Sequence, residues 1–143
     1  MLSVRSILAE KGRVIFQVPP DATVLDALRE MATRNCGALL VMDQGRPVGM
    51  VSERDYARKV VLMGRVSSHT LVREIMDADV VNVPIHLSVD QCMALMTQYR
   101  SRHLLVRDGD QLAGVISIGD VVKAMISDQQ STIAQLHQYI TGG

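Results

Sequence analysis

A chain of 143 residues fits one compact domain or two half-size units sharing a core, and its 48% hydrophobic content excludes a disordered polymer. Fifteen basic and fifteen acidic side chains cancel without any lysine or arginine stripe, which excludes a nucleic-acid surface. The longest apolar stretches, at residues 38–42 and 60–63, fall far short of the roughly 20 residues that span a bilayer, and residues 1–13 lack a signal-peptide core, so a cytoplasmic protein without membrane contact is expected.

In chain order, residues 14–18 form a β-branched run closed by Pro19-Pro20 and read as a short strand entering a turn. Thr23 is an N-cap candidate for a helix with Val24, Leu25, Leu28, Met31 and Ala32 on one face. Residues 38–42 and 48–52 read as strands joined by a glycine-containing hairpin turn at 43–46, and a helix follows. The same series then recurs. Residues 80–83 form a strand before Pro84, Ser88 with Gln91 has capping-box spacing, and Val89, Cys92, Met93 and Met96 line a helix. Residues 103–107 and 113–117 are strands around a turn at 108–111, with a helix after them. Residues 128–140 read as a separate amphipathic helix, carrying Ile133, Leu136 and Ile140 on one side and ended by Gly142-Gly143.

The recurrence is a duplication. Slid by 65 residues, 18–55 aligns without gaps on 83–120, and 11 of the 38 pairs are identical, including Gly49/Gly114, Ser52/Ser117 and Asp55/Asp120; chance would give roughly two or three. Upstream, Val4-Arg5-Ser6-Ile7-Leu8 resembles Val72-Arg73-Glu74-Ile75-Met76 at an offset of 68. The expected fold is α/β (α+β): two β-α-β-β-α repeats at 1–64 and 65–127, packed about a pseudo-twofold axis because one copy of about 60 residues buries too little alone, with a C-terminal helix and tail at 128–143.

Residues 49–55 and 114–120 hold most of the chemistry. Each ends a strand and starts a helix, where free N–H groups and the positive dipole end suit a phosphate. The Ser adds a donor, the Asp accepts the two cis hydroxyls of a ribose, and the preceding glycine lets a flat base approach the strand. Ser-x-x-Asp is also the pattern of a capping box that satisfies only its own helix. The four histidines lie at scattered spacings without metal-site carboxylates, and Cys36 and Cys92 have no CxxC partner, so no metal is expected and both thiols read as reduced core residues. His103 is either a ligand group or a strand-end residue satisfied by backbone.

Arg102-His103-Leu104-Leu105-Val106, the run Gly114 to Lys123, Val72-Arg73-Glu74-Ile75-Met76 and Ser52-Glu53-Arg54-Asp55 resemble the CBS (cystathionine-β-synthase-type) domain family over nearly the whole chain, and Tyr139-Ile140-Thr141-Gly142-Gly143 resembles the ending of small stand-alone bacterial members. The resemblance implies clefts between the repeats that bind adenine nucleotides, with the ribose on the motif Asp and the adenine against backbone of the other repeat. Carried over by position, one site would use Val115, Ser117 and Asp120 with Lys11, Val14, Phe16, Gly37 and Ala38. The other would use Met50, Ser52 and Asp55 with Asp79, Val81 and Arg102, and Arg102 and His103 would face phosphates. Because the first copy has Gly37-Ala38 where the second has Arg102-His103, the two sites should differ, and the Asp120 site is favoured.

The function expected is a non-catalytic regulatory module sensing AMP, ATP or an NAD-like adenosine compound, with no required cofactor. It would act as a homodimer or through a separate effector protein. Surplus apolar positions on Ala57, Val60, Val61 and Met63, and on Val121, Val122, Met125 and Ile126, point to the second copy. Two alternatives stand beside it: a dimerisation module with vestigial sites, and a small nucleotide-processing enzyme using Asp120 or His103, against which no acid-base pair or metal constellation is evident.

Overall fold

The structure, a computed structural model, describes residues 2–141. Its elements are α1 (Val4–Lys11), β1 (Gln17–Val18), α2 (Val24–Arg34), β2 (Ala38–Asp43), β3 (Arg46–Ser52), α3 (Glu53–Tyr56, continuing as a π turn over Ala57–Val61), β4 (Val81–Pro84), α4 (Val89–Tyr99), β5 (His103–Asp108), β6 (Gln111–Ser117) and α5 (Ile118–Ile140). The chain divides into two compact units, one of Ile15–Val80 and one of Met1–Val14 with Val81–Gly143.

In the Ile15–Val80 unit the sheet order is β1-β2-β3. Strand β1 runs parallel to β2 through Val18↔Val41, and a parallel neighbour requires a crossover, here α2. Strands β2 and β3 form an antiparallel hairpin from Ala38↔Ser52 to Asp43↔Arg46, bulged between Val41 and Met42. Helix α2 begins on the Thr23 cap, which accepts from the Asp26 N–H at 3.1 Å, and ends at Asn35 in the left-handed region. Its apolar stripe places Val24, Ala27 and Met31 against Val18, Leu39, Val41, Val51 and Val60. Val72 and Ile75 complete this core. They are held by backbone bonds from Val24 N–H to Thr70 O (2.8 Å) and Val72 N–H to Ala22 O (2.8 Å).

The other unit repeats this plan with β4-β5-β6 and a bulge at the equivalent Val106/Arg107 step. Its α4 starts on the Ser88–Gln91 capping box read from sequence and turns Val89, Cys92 and Met96 inward. The core is completed by Val4, Ile7 and Leu8 of α1, whose first turn donates from Val4 N–H to Leu87 O and from Arg5 N–H to Ile85 O, both at 2.9 Å. Each segment that precedes a copy in sequence therefore closes the core of the other copy's sheet.

Three differences from the sequence reading have local causes. Strand β1 starts only at Gln17, while Val14 is 76% exposed. Residues 128–140 are not a separate helix but the continuation of α5, since residues 120–140 contain neither glycine nor proline to stop it. Of the residues read as a surplus face, Val60 and Val121 are buried in their own cores, whereas Val61, Met63, Val122 and Ile126 remain exposed.

Candidate functional site

At the β6–α5 junction, Ser117 caps α5 and Asp120 folds back onto it: the Asp120 N–H donates to Ser117 Oγ (3.2 Å), and the Ser117 N–H donates to Asp120 Oδ2 (2.8 Å). The capping box is thus formed. Ile118 N–H goes to Arg102 O at 2.8 Å. These bonds take three of the N–H groups that a phosphate would have used, so the junction presents acceptors more than donors.

Lys11, in the last turn of α1, reaches the same place from more than 100 positions away. Its ammonium donates to Asp120 Oδ2 (2.6 Å) and to Val115 O (2.9 Å). Burial raises the Asp120 pKa, but the Lys11 hydrogen bond, the Ser117 N–H and the Lys11 charge outweigh it, and the carboxyl titrates below its ordinary range. Both donors fall on Oδ2. Lys11 and Asp120 also line a cavity of about 210 Å³ together with Ile7, Glu10, Lys123 and Ala124.

The β3–α3 junction has the same box: Ser52 N–H and Ser52 Oγ both donate to Asp55 Oδ2 (2.9 and 3.0 Å), and Asp55 N–H returns to Ser52 Oγ (3.2 Å). Its cation is local. Lys59, one helical turn on, lies 3.2 Å from Asp55 Oδ1 and donates to Ile75 O at 2.8 Å. Asp55 is therefore engaged through both oxygens, whereas the Lys11 and Ser117 N–H bonds of Asp120 both fall on Oδ2. The Lys59 contact was open to the sequence reading, being an i,i+4 pair, and was missed; the Lys11 contact has no local spacing to reveal it.

The remaining carried-over residues distribute as follows. Gly37 and Ala38 adjoin their own unit's motif, through Glu53 N–H to Gly37 O (3.0 Å) and the Ala38↔Ser52 pair. Arg102 and His103 adjoin Ser117 in the same way, through Arg102 O and the His103↔Ser117 pair. Phe16 is half-buried with the Arg34 guanidinium 5.3 Å from its ring centroid. Met50 is buried and exchanges both backbone bonds with Asp77 (2.9 and 2.8 Å), a partner the sequence did not indicate; Asp79 is exposed beside it, its N–H on Asp77 Oδ1 at 3.0 Å. Val81 opens β4 opposite Leu104. Lys11, Val115, Ser117 and Asp120 thus come together within one unit, as do Gly37, Ala38, Ser52 and Asp55 in the other.

The glycine assignment is corrected. A Cβ on Gly49 would stand 2.8 Å from Asp77 O and 3.0 Å from Met76 Sδ, and one on Gly114 2.8 Å from Leu8 Cδ2. The missing side chain makes room for the unit's own closing segment, not for a base. Among the described residues no cluster of His, Cys, Asp and Glu could hold a metal ion, and no helix is long and apolar enough to cross a membrane.

Two β-α-β-β-α units, each with a Ser–Asp box at the end of its hairpin, define a tandem-repeat module. The CBS domain model matches the chain twice, over residues 4–62 and 72–127, and the chain belongs to the CBS domain family as a pair of repeats. A solved protein with CBS domains from Burkholderia ambifaria is 52% identical, with a TM-score of 0.84 over 89% of this chain and 96% of that one. The mitochondrial CBS domain-containing protein CBSX3 of Arabidopsis thaliana is 38% identical over 86% of this chain; the match spans 62% of that relative's length. A CBS domain protein from Pyrobaculum aerophilum, solved in complex with AMP, is 25% identical with a TM-score of 0.72, covering 83% of this chain and 89% of that one.

Proposed function

We propose that this CBS pair is a non-catalytic regulatory module whose ligand is an adenosine compound, AMP, ATP or an NAD-like dinucleotide, with its ribose on Asp120. The observation that carries the reading is the geometry at Asp120: a half-buried carboxylate, held ionised, on which the Lys11 ammonium and the Ser117 N–H both fall on Oδ2. Two cis hydroxyls can divide between the two oxygens. Bound in that way, the ligand takes Oδ1 and displaces Lys11 from Oδ2, freeing the ammonium and the Val115 carbonyl for the rest of the nucleotide. The AMP complex of the Pyrobaculum aerophilum relative supports the ligand class. Asp55, with Lys59 on its second oxygen, is the weaker of the two positions. The exposed Val61, Met63, Val122 and Ile126 support a homodimer, and output goes through that dimer or a separate effector.

Calorimetry with AMP, ATP and NAD tests the reading, together with nucleotide analysis after long incubation. Saturable binding with unchanged nucleotide supports it; turnover refutes the non-catalytic part. A second reading, a dimerisation module with vestigial sites, is favoured by the formed capping boxes and predicts no binding heat with any of the three.

A further inference from the structure

Every residue of α5 from Ile126 onward is exposed, although the helix continues for four more turns. A lone helix of this length is marginal in water, so the extension calls for a partner along it. Its apolar residues define which kind. Val122, Ile126, Ile133, Leu136 and Ile140 are 40, 49, 65, 56 and 78% exposed, and with Gln129 they alternate at spacings of four and three along one seam. That is the period of a two-helix coiled coil, with Ile126, Ile133 and Ile140 at its a positions and Val122, Gln129 and Leu136 at d.

We infer that α5 pairs in parallel and in register with α5 of a second copy of this chain. Isoleucine at all three a positions, with Leu136 at a d position, follows the two-stranded parallel preference. Gln129 fixes the orientation: a parallel pair sets position 129 opposite itself, where one amide donates and the other accepts, whereas an antiparallel pair sets it opposite an isoleucine and leaves the amide unsatisfied. The flanking e and g positions suit a second copy. Met125, Gln130, Thr132, His137 and Tyr139 include no Lys, Arg, Asp or Glu, and Lys123, at the first e position, is the one charge on these flanks and faces no charged g position, so two identical helices meet without a like-charged e–g pair. The inference rests on the self-association proposed above but not on the ligand.

The full chain carrying Ile133→Lys and Leu136→Lys, both at exposed positions, is compared with wild type and with Met63→Glu by light scattering at about 50 µM. The expected result is half the wild-type mass for the double variant, with a circular dichroism spectrum that loses no more than the helical signal of the α5 extension. In parallel, Gln129→Cys is oxidised and the linked peptide identified by mass; a 129–129 disulfide between chains is expected. A monomeric wild type overturns both this inference and the proposed homodimer, and leaves a different partner for the seam. Wild-type mass in the α5 variant with half the mass in Met63→Glu overturns the seam alone. Failure of the 129–129 link, with a 129–133 link in a mixture of Gln129→Cys and Ile133→Cys chains, overturns the parallel pairing.

Discussion

Asp120→Ala separates a ribose acceptor from a helix cap. The side chain does two things in the structure: it closes the box on the Ser117 N–H and pairs with Lys11. Removing the box costs about 0.5–2 kcal/mol, and the ion pair, with Lys11 39% and Asp120 23% exposed, adds no more than ~1 kcal/mol after solvent screening. A fold loss of about 0.5–3 kcal/mol lowers Tm by up to several degrees. If the carboxylate also receives two ribose hydroxyls, affinity falls by on the order of 2–4 kcal/mol, roughly thirtyfold to a thousandfold. Ser88→Ala is the control, since it opens the matching box on α4 in the same unit, away from Asp120. Titration calorimetry with AMP, ATP and NAD well below Tm should give a large affinity loss for Asp120→Ala and none for Ser88→Ala, with both melting lower. Equal affinities in wild type, Asp120→Ala and Asp55→Ala would reduce both aspartates to caps and refute the assignment.

The Asp120 carboxyl has a lower pKa folded than unfolded, so the unfolded chain binds more protons as pH falls; the stability it provides is complete above about pH 4 and lost as pH drops through the folded value. In Lys11→Met the urea midpoint should therefore change less between pH 7 and pH 3.5 than in wild type, and an identical change would remove Lys11 as the cause. Gly49→Ala should destabilise more than Gly114→Ala, by at least ~1 kcal/mol, because its Cβ meets the Asp77 carbonyl whereas the other meets a rotatable leucine methyl. Urea denaturation of the two variants decides this, and the reverse order would refute it. Cys92, fully buried with its pKa pushed up to about 11 by desolvation, should resist iodoacetamide at pH 8 in the native protein, while Cys36, which lines an open groove beside Tyr56, reacts. Peptide mass mapping checks it, and equal labelling would show that the core opens.

The duplication, the order of elements and the inward faces of α2 and α4 were legible in the sequence because they depend on spacing alone: Ala27 and Cys92, 65 positions apart, are both fully buried. The capping boxes at Ser88, Ser52 and Ser117 were legible for the same reason, since three residues separate donor and acceptor. Sequence could not say which sheet α1 and the segment around Val72 and Ile75 would close, because their apolar patterns resemble each other and fit either copy; the packing of Leu8 over Gly114 and of Asp77 over Gly49 settles it. The same placement makes Lys11 the partner of Asp120. An ion pair across 109 positions leaves no periodic trace in a chain, and arises only when the folded core brings the end of α1 to the start of α5.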